Sequence, residues 1–185
     1  QYTLRGDYTG LKQREDLKGI VVLLHSIGKN RRQFPSENSK DLFRRLVSKQ
    51  YGVIRFDFRK HGQSSGKDFN LRKDPGFAQQ DLDAIASWIE RELPGSTAKS
   101  KVHWVAFGPY SSAMLASRAQ RLYNTSLKSL TLVDPQFEKA PGLSLDEVLA
   151  ENIEDYCFPH LIIPSADAKK DPNRGLSWNK WIIRQ

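Results

Sequence analysis

The chain has 185 residues, of which 27% are charged and 38% are hydrophobic. This length suits a single domain spanning residues 1–185; the composition excludes a disordered chain, and no apolar run is long enough to cross a bilayer. A single cysteine, Cys157, excludes an intramolecular disulfide and favours a reducing compartment, while a net charge of +8 allows contact with nucleic acid, anionic lipid or acidic protein.

The order of apolar runs along the chain predicts an α/β fold. Strands are predicted at 19–24, 53–58, 102–107, 127–133 and 160–163. Helices are predicted at 39–52, 77–93 and 111–123, and two more begin at Ser144 and Leu176. Strands that alternate with helices of this length form βαβ units. We therefore expect a mainly parallel sheet with helices on both faces.

Three polar segments directly follow predicted strands, where open α/β sheets carry their sites. The segment GIVVLLHSIGKN places His25 and Gly28 after the first strand, DFRKHGQSSG runs from 57 to 66, and VAFGPYSSAMLA runs from 105 to 116. Together with LTLVDP at 130–135 and LIIPSAD at 161–167, their order and spacing resemble the motifs of the α/β-hydrolase superfamily. The resemblance covers about residues 19–167.

The resemblance implies a minimal α/β-hydrolase core without a cap domain, because residues 136–159 are too few for a lid. It aligns residues 108–112 with the family's nucleophile elbow, a G-x-S-x-G turn between strand and helix. Gly108 keeps the first glycine, whereas Tyr110 stands in place of the serine, and a phenol with a pKa of about 10 is a poor substitute. Asp167 takes the place of the triad acid, and no histidine follows it. The resemblance thus implies a pseudo-hydrolase, with His25, Gly28, Gly108, Tyr110 and Asp167 as relic positions.

Two alternatives retain a role for this site. A shift of the elbow by one residue makes Ser111 the nucleophile of a serine hydrolase or thioesterase, with His61 or residues outside the sequence as the base. The relic pocket would otherwise serve a small-ligand-binding module, with Tyr110, Trp104 and Phe107 as lining residues. No Cys/His cluster has metal-ligand spacing and no phosphate-binding glycine loop is present, so no metal or cofactor is expected.

The leading prediction from the sequence is a non-catalytic structural subunit of a larger mitochondrial assembly, such as a respiratory complex or a ribosome. It depends on the missing nucleophile and base, the basic charge and a first residue that is not Met. Cytoplasm or another organelle is the alternative location. The expected partners are other protein subunits, and the chain itself would have no transmembrane segment. RNA or anionic lipid would bind through basic loops that carry Lys29, Arg31, Arg32, Lys60, Arg72 and Lys73.

Overall fold

Six strands form one mixed sheet in a computed structural model that describes residues 2–9, 17–34, 42–66, 75–92, 102–123, 127–133 and 160–163. The strands are β1 Arg5–Thr9, β2 Gly19–Leu24, β3 Tyr51–Asp57, β4 Val102–Phe107, β5 Leu127–Val133 and β6 His160–Ile163. Their order across the sheet is β1-β3-β2-β4-β5-β6. Only β1 runs antiparallel to its neighbour, and all other neighbouring strands are parallel. The prediction of a mainly parallel sheet is confirmed.

Helices cover both faces of this sheet. They are α1 Leu42–Ser48, α2 Pro75–Glu92 and α3 Pro109–Tyr123, and a short 3₁₀ helix spans Arg31–Gln33. All six residues of β2 are buried, as expected for a central strand covered on both sides. One face packs Val22 against α2 and α3, and the other packs Leu23 against Phe43 of α1. The sheet is therefore the middle layer of an α/β core.

The structure differs from the sequence prediction mainly at the ends of elements. The helix predicted at 39–52 is shorter, Leu42–Ser48, and the strand predicted at 53–58 already begins at Tyr51. The helices expected at Ser144 and Leu176, the lid segment 136–159, Cys157 and Asp167 lie outside the described residues.

The edge strand β1 is an element that the sequence analysis missed. Its sequence RGDYT is short and polar, and none of its residues is fully buried. Asp7 receives hydrogen bonds from the guanidinium groups of Arg31 and Arg55, at 3.1 and 3.0 Å. The ring of Tyr8 packs edge-on against Trp88 of α2, with centroids 5.6 Å apart. These long-range contacts, and not a hydrophobic pattern, hold β1 in the sheet.

A buried ion pair connects α2 to the loop after β3. The carboxylate of Asp81 is fully buried and accepts hydrogen bonds from the backbone N–H of Arg59 at 2.9 Å and from its Nε at 2.8 Å. The guanidinium lies between the rings of Tyr2 and Phe77, at 3.9 and 4.9 Å from their centroids. Either charge would be uncompensated in the core without the other.

Replacement of Asp81 by Ala is therefore expected to lower the free energy of unfolding by about 3–5 kcal/mol, because it leaves the Arg59 charge buried. Urea denaturation followed by circular dichroism measures the loss. The control is Glu92→Ala, which removes a pair with Arg91 on the exposed end of α2 and should cost less than about 1 kcal/mol. Equal losses in the two variants would contradict this account.

Candidate functional site

The loops that follow β2 and β3 are joined by the carboxylate of Asp57, the last residue of β3. Asp57 is fully buried. Its Oδ1 accepts the backbone N–H of Arg31 at 2.7 Å, and its Oδ2 accepts the backbone N–H of Gln63 at 2.8 Å. The Arg31 guanidinium pairs with the same Oδ2. One side chain thus fixes a residue in each loop, and the neighbouring cation offsets the cost of burying its charge.

Gly62 lies in the second of these loops, directly over Asp57. Its φ is +53°, and a Cβ added there would overlap the Asp57 carboxylate. The position therefore requires a glycine for two reasons: the left-handed backbone and the close approach of the carboxylate.

His25 connects the same two loops through its imidazole. The ring is fully buried and packs against Phe58, with centroids 5.0 Å apart. Nε2 accepts the backbone N–H of Phe58 at 3.1 Å, so it is unprotonated, and Nδ1 donates to the carbonyl of Ser26 at 2.8 Å. Burial is the main cause that lowers the pKa of His25 to about 4. His25 is therefore a neutral connector at pH 7.

A second histidine, His61, lies beside His25, with ring centroids 5.2 Å apart. Its Nδ1 donates to the carbonyl of Arg59 at 2.9 Å, which leaves Nε2 unprotonated and facing the backbone N–H of Gly28 at 3.4 Å. His61 is partly exposed. The structure therefore brings His25, Gly28, Asp57 and Gly62 together at the carboxyl ends of β2 and β3.

The turn from β4 into α3 is made at a single residue, Gly108. Its φ is +82°, between the last strand residue Phe107 and the helix start at Pro109. Its N–H donates to the carbonyl of Val133 at the end of β5, at 2.8 Å, and its carbonyl accepts the N–H of Ser112 at 3.1 Å. The sharp corner of this segment is thus Gly108, and a glycine is the residue that adopts such a backbone without strain.

The hydroxyl of Ser111 points into the protein. Ser111 is fully buried, and its Oγ donates to the carbonyl of His25 at 2.5 Å. This hydrogen bond holds the first turn of α3 against the loop after β2. Tyr110, one residue earlier, is half-buried in the same first turn.

Ser26 is a site residue that the sequence analysis missed, although it stands between the two motif residues His25 and Gly28. It is partly exposed and lies directly in front of the corner, since a Cβ added at Gly108 would be 3.0 Å from Ser26 Oγ. Its backbone N–H donates to Gln33 Oε1 at 2.8 Å, and Gln33 Nε2 donates to its Oγ at 3.2 Å. The position of a hydroxyl directly after a buried strand was the sequence feature that could have identified it.

Two residues proposed to line a common pocket do not share one. Trp104 is fully buried on the face of the sheet that packs against α2 and α3. Phe107 packs on the opposite face against Phe34, with ring centroids 4.9 Å apart. Their positions differ by an odd number along β4, so their side chains point to opposite sides.

The basic loops are only partly available to a partner. Arg31 is committed to Asp7 and Asp57, whereas Lys29, Arg32 and Lys60 are exposed, and Arg72 and Lys73 lie outside the described residues. Within the described ranges, no group of three His, Cys, Asp or Glu side chains could hold a metal ion. No helix in that part of the chain has the length and apolar character needed to cross a membrane.

Comparison with solved structures decides the fold. An esterase of Pyrococcus furiosus superposes with a TM-score of 0.58 at 18% identity, over 98% of this chain and 59% of the esterase. A serine hydrolase without a lid from Xanthomonas campestris superposes with a TM-score of 0.57 at 18% identity, over 100% of this chain and 75% of the hydrolase. The chain has the α/β-hydrolase fold. A further α/β-hydrolase, from Sphaerobacter thermophilus, matches with a TM-score of 0.51 at 16% identity, over 74% of this chain and 42% of its own.

These likenesses are structural. No family model and no curated protein sequence matches the chain. The chain spans about three fifths of the length of the archaeal esterase. The prediction of a non-catalytic structural subunit of a respiratory complex or ribosome is wrong, because the proteins found to share the α/β-hydrolase fold are esterases and other hydrolases. The hydrolase alternative agrees better with them.

The turn at Gly108 can be compared with the strand-to-helix turn of the α/β-hydrolase fold. In this fold the nucleophile stands on the strained turn from strand to helix. The sequence alignment put Tyr110 at that position, in what is the first turn of α3, and this assignment stays a prediction. The residue with a positive φ between β4 and α3 is Gly108, which carries no side chain. The Ser111 hydroxyl is buried.

The low pKa of His25 predicts a pH-dependent stability. The pKa in the folded protein is about 4, against 6.5 without burial, so the folded state binds its proton less readily than the unfolded chain. Stability from this group is fully present above pH 6.5 and is lost as the pH falls towards 4, by about 3 kcal/mol in total. NMR titration of the imidazole should give a midpoint near pH 4. In His25→Gln, the free energy of unfolding should fall less between pH 6.5 and pH 4 than in the unchanged protein. A midpoint near 6.5 would contradict the burial of this ring.

Replacement of Gly62 by Ala should lower the free energy of unfolding by at least about 1–2 kcal/mol, because the added methyl group meets Asp57 and the backbone is left-handed. The control is Gly76→Ala, near the start of α2, where a Cβ meets nothing within 4 Å. That change should be neutral or stabilising by up to about 1 kcal/mol. Thermal melting of both variants tests the pair; a destabilised Gly76→Ala with an unaffected Gly62→Ala would refute it.

Proposed function

We propose that the chain hydrolyses small carboxylic esters at the elbow corner around Gly108. The observation that carries this proposal is the backbone of the corner, in which a left-handed turn leads directly into the 15-residue helix α3 beside the loop after β2. α/β-Hydrolases present their nucleophile on such a turn, and they bind the oxyanion with a backbone N–H from the helix that follows and one from a neighbouring loop. The esterases among the solved structures with this fold agree with the same chemistry.

The corner can stabilise negative charge on an ester oxygen. The positive end of the α3 dipole points towards the corner. Pro109 has no backbone N–H, so the first turn brings N–H donors to the corner only from Tyr110 onwards. An ester carbonyl placed there gains negative charge as it becomes tetrahedral, and fixed N–H donors stabilise that charge more than the ground state. The hydrogen bond from Ser111 to the carbonyl of His25 holds the two sides of the corner together. Ser111 is in this proposal a positioning residue.

His61 is the base that fits this arrangement. Its Nδ1 proton is engaged by the Arg59 carbonyl, so the lone pair is on Nε2, which faces Gly28 in the loop after β2. An imidazole fixed in this tautomer can accept a proton from a hydroxyl or a water and return it to the leaving alcohol. His25 cannot take this role, since its ring is fully buried, whereas His61 is partly exposed and the hydrogen bond to its Nε2 is long, at 3.4 Å.

A second candidate function is binding of the ester without turnover. It is favoured by the absence of a side chain on Gly108, where α/β-hydrolases carry their nucleophile. In that case the corner would keep its affinity for an acyl oxygen and lose only the covalent step. The basic side chains of Lys29 and Lys60, exposed in the adjoining loops, would then favour ligands with an anionic group.

Hydrolysis of a short-chain p-nitrophenyl ester distinguishes the two candidates. We expect p-nitrophenol release above the buffer rate, in proportion to protein concentration, and lost when the protein is unfolded. Ser111→Ala should lower stability by about 1 kcal/mol, through the lost hydrogen bond, and should lower turnover without abolishing it, because the two sides of the corner are then held less firmly. Saturable binding of the ester without product release would establish the second candidate, and neither binding nor release would refute both.

A further inference from the structure

We infer that the hydroxyl of Ser26 is the nucleophile of this corner, so that the reacting oxygen comes from the loop after β2 and not from the elbow. This inference rests on the proposed ester hydrolysis. Ser26 lies within the first motif segment, but the sequence alignment gives the place of the nucleophile to Tyr110, with Ser111 as the alternative.

The side chain of Ser26 lies close to Gly108. A Cβ added at Gly108 would lie 3.0 Å from the Oγ, 3.2 Å from the Cβ and 3.7 Å from the Cα of Ser26. The hydroxymethyl group of Ser26 therefore borders the space that a side chain on the elbow would enter. The glycine at the corner and the serine opposite it are complementary in shape, and the hydroxyl at this corner belongs to the loop after β2.

Hydrogen bonds hold the Ser26 hydroxyl in place. Gln33 makes a two-point contact with Ser26, accepting its backbone N–H at 2.8 Å and donating to its Oγ at 3.2 Å. The Ser26 carbonyl accepts from the N–H of Lys29 at 3.0 Å and from Nδ1 of His25 at 2.8 Å. A donor aimed at Oγ favours the negative charge that develops on this oxygen as its proton leaves. The hydroxyl of Ser26 is thus both oriented and electrostatically assisted.

The Ser26 hydroxyl is the one that a substrate can reach. Ser26 is partly exposed, whereas Ser111 and Ser112 on α3 are fully buried. Ser64, in the loop after β3, is buried, and its hydroxyl donates a hydrogen bond to the carbonyl of Asp57 at 2.6 Å. Of these four serines near the carboxyl ends of the strands, Ser26 alone combines exposure with a place at the corner.

Ester cleavage at Ser26 consumes one molecule of water. Ser26 Oγ attacks the acyl carbon of the ester, the new oxygen–carbon bond forms, and the bond to the leaving alcohol breaks. In this proposal His61, on the neighbouring loop after β3, is the base that receives the hydroxyl proton and returns it to the departing alkoxide. Water then attacks the acyl group on Ser26, so that a carboxylic acid leaves and the hydroxyl is restored.

Labelling with a fluorophosphonate probe, followed by peptide mapping, tests the assignment. The probe phosphonylates an activated serine and releases fluoride, so it reports on Ser26 even when ester turnover is slow. We expect the label on Ser26, loss of label in Ser26→Ala, and a fall in ester turnover of at least about 100-fold. The matched control is Ser65→Ala, which changes an exposed serine in the loop after β3. This variant should keep both the label on Ser26 and the ester turnover.

A double variant, Ser26→Gly with Gly108→Ser, returns the hydroxyl to the elbow. Gly108→Ser alone is hindered by Ser26, and Ser26→Gly removes that contact, while the left-handed φ of +82° keeps some backbone strain at position 108. We expect the label at position 108 in the double variant and at position 26 in the unchanged protein, which the peptide map reads directly. A label on another residue of the unchanged protein, with turnover retained in Ser26→Ala, would overturn the Ser26 assignment and leave ester hydrolysis standing. No ester turnover in the unchanged protein would overturn the proposed function, and no label on Ser26 would overturn this inference.

Discussion

The carboxylate of Asp57 is the interaction on which the whole carboxyl edge depends. It is buried at the end of β3, and it receives a backbone N–H from each of the two loops that border the corner, together with the Arg31 guanidinium. A buried carboxylate is stable only when its charge and lone pairs are satisfied, so the loops can rearrange only at the cost of an unpaired ion. The same constraint explains why Gly62 has no side chain.

A second set of hydrogen bonds extends this order to the elbow. The imidazole of His25 joins the loop after β2 to Phe58, and the hydroxyl of Ser111 joins α3 to the backbone of His25. Two residues that resemble catalytic ones in sequence are thus used to fix distances between loops.

Much of the fold followed from the sequence, whereas the position of the tight turn before α3 did not. Six consecutive apolar residues in β2 could only belong to a strand covered on both faces, and the polar segments after β2 and β3 met where parallel strands end. The G-x-S-x-G alignment used Gly108 as its first glycine, because a pattern of residue types does not show which residue has a positive φ. With the serine position assigned to Tyr110, the sequence analysis led to a structural subunit, a function that the hydrolases of the same fold contradict.

The sequence by itself determined the layer order of the core and the segments that lie at the carboxyl edge, because hydrophobic periodicity depends on neighbours only a few residues apart. It did not determine that RGDYT forms β1, since that strand is held by Arg31, Arg55 and Trp88 from distant parts of the chain. Nor did it determine which serine is exposed at the corner. Burial of the Ser111 hydroxyl and the approach of Ser26 to Gly108 arise only when three loops pack together, and packing over such sequence distances leaves no local pattern.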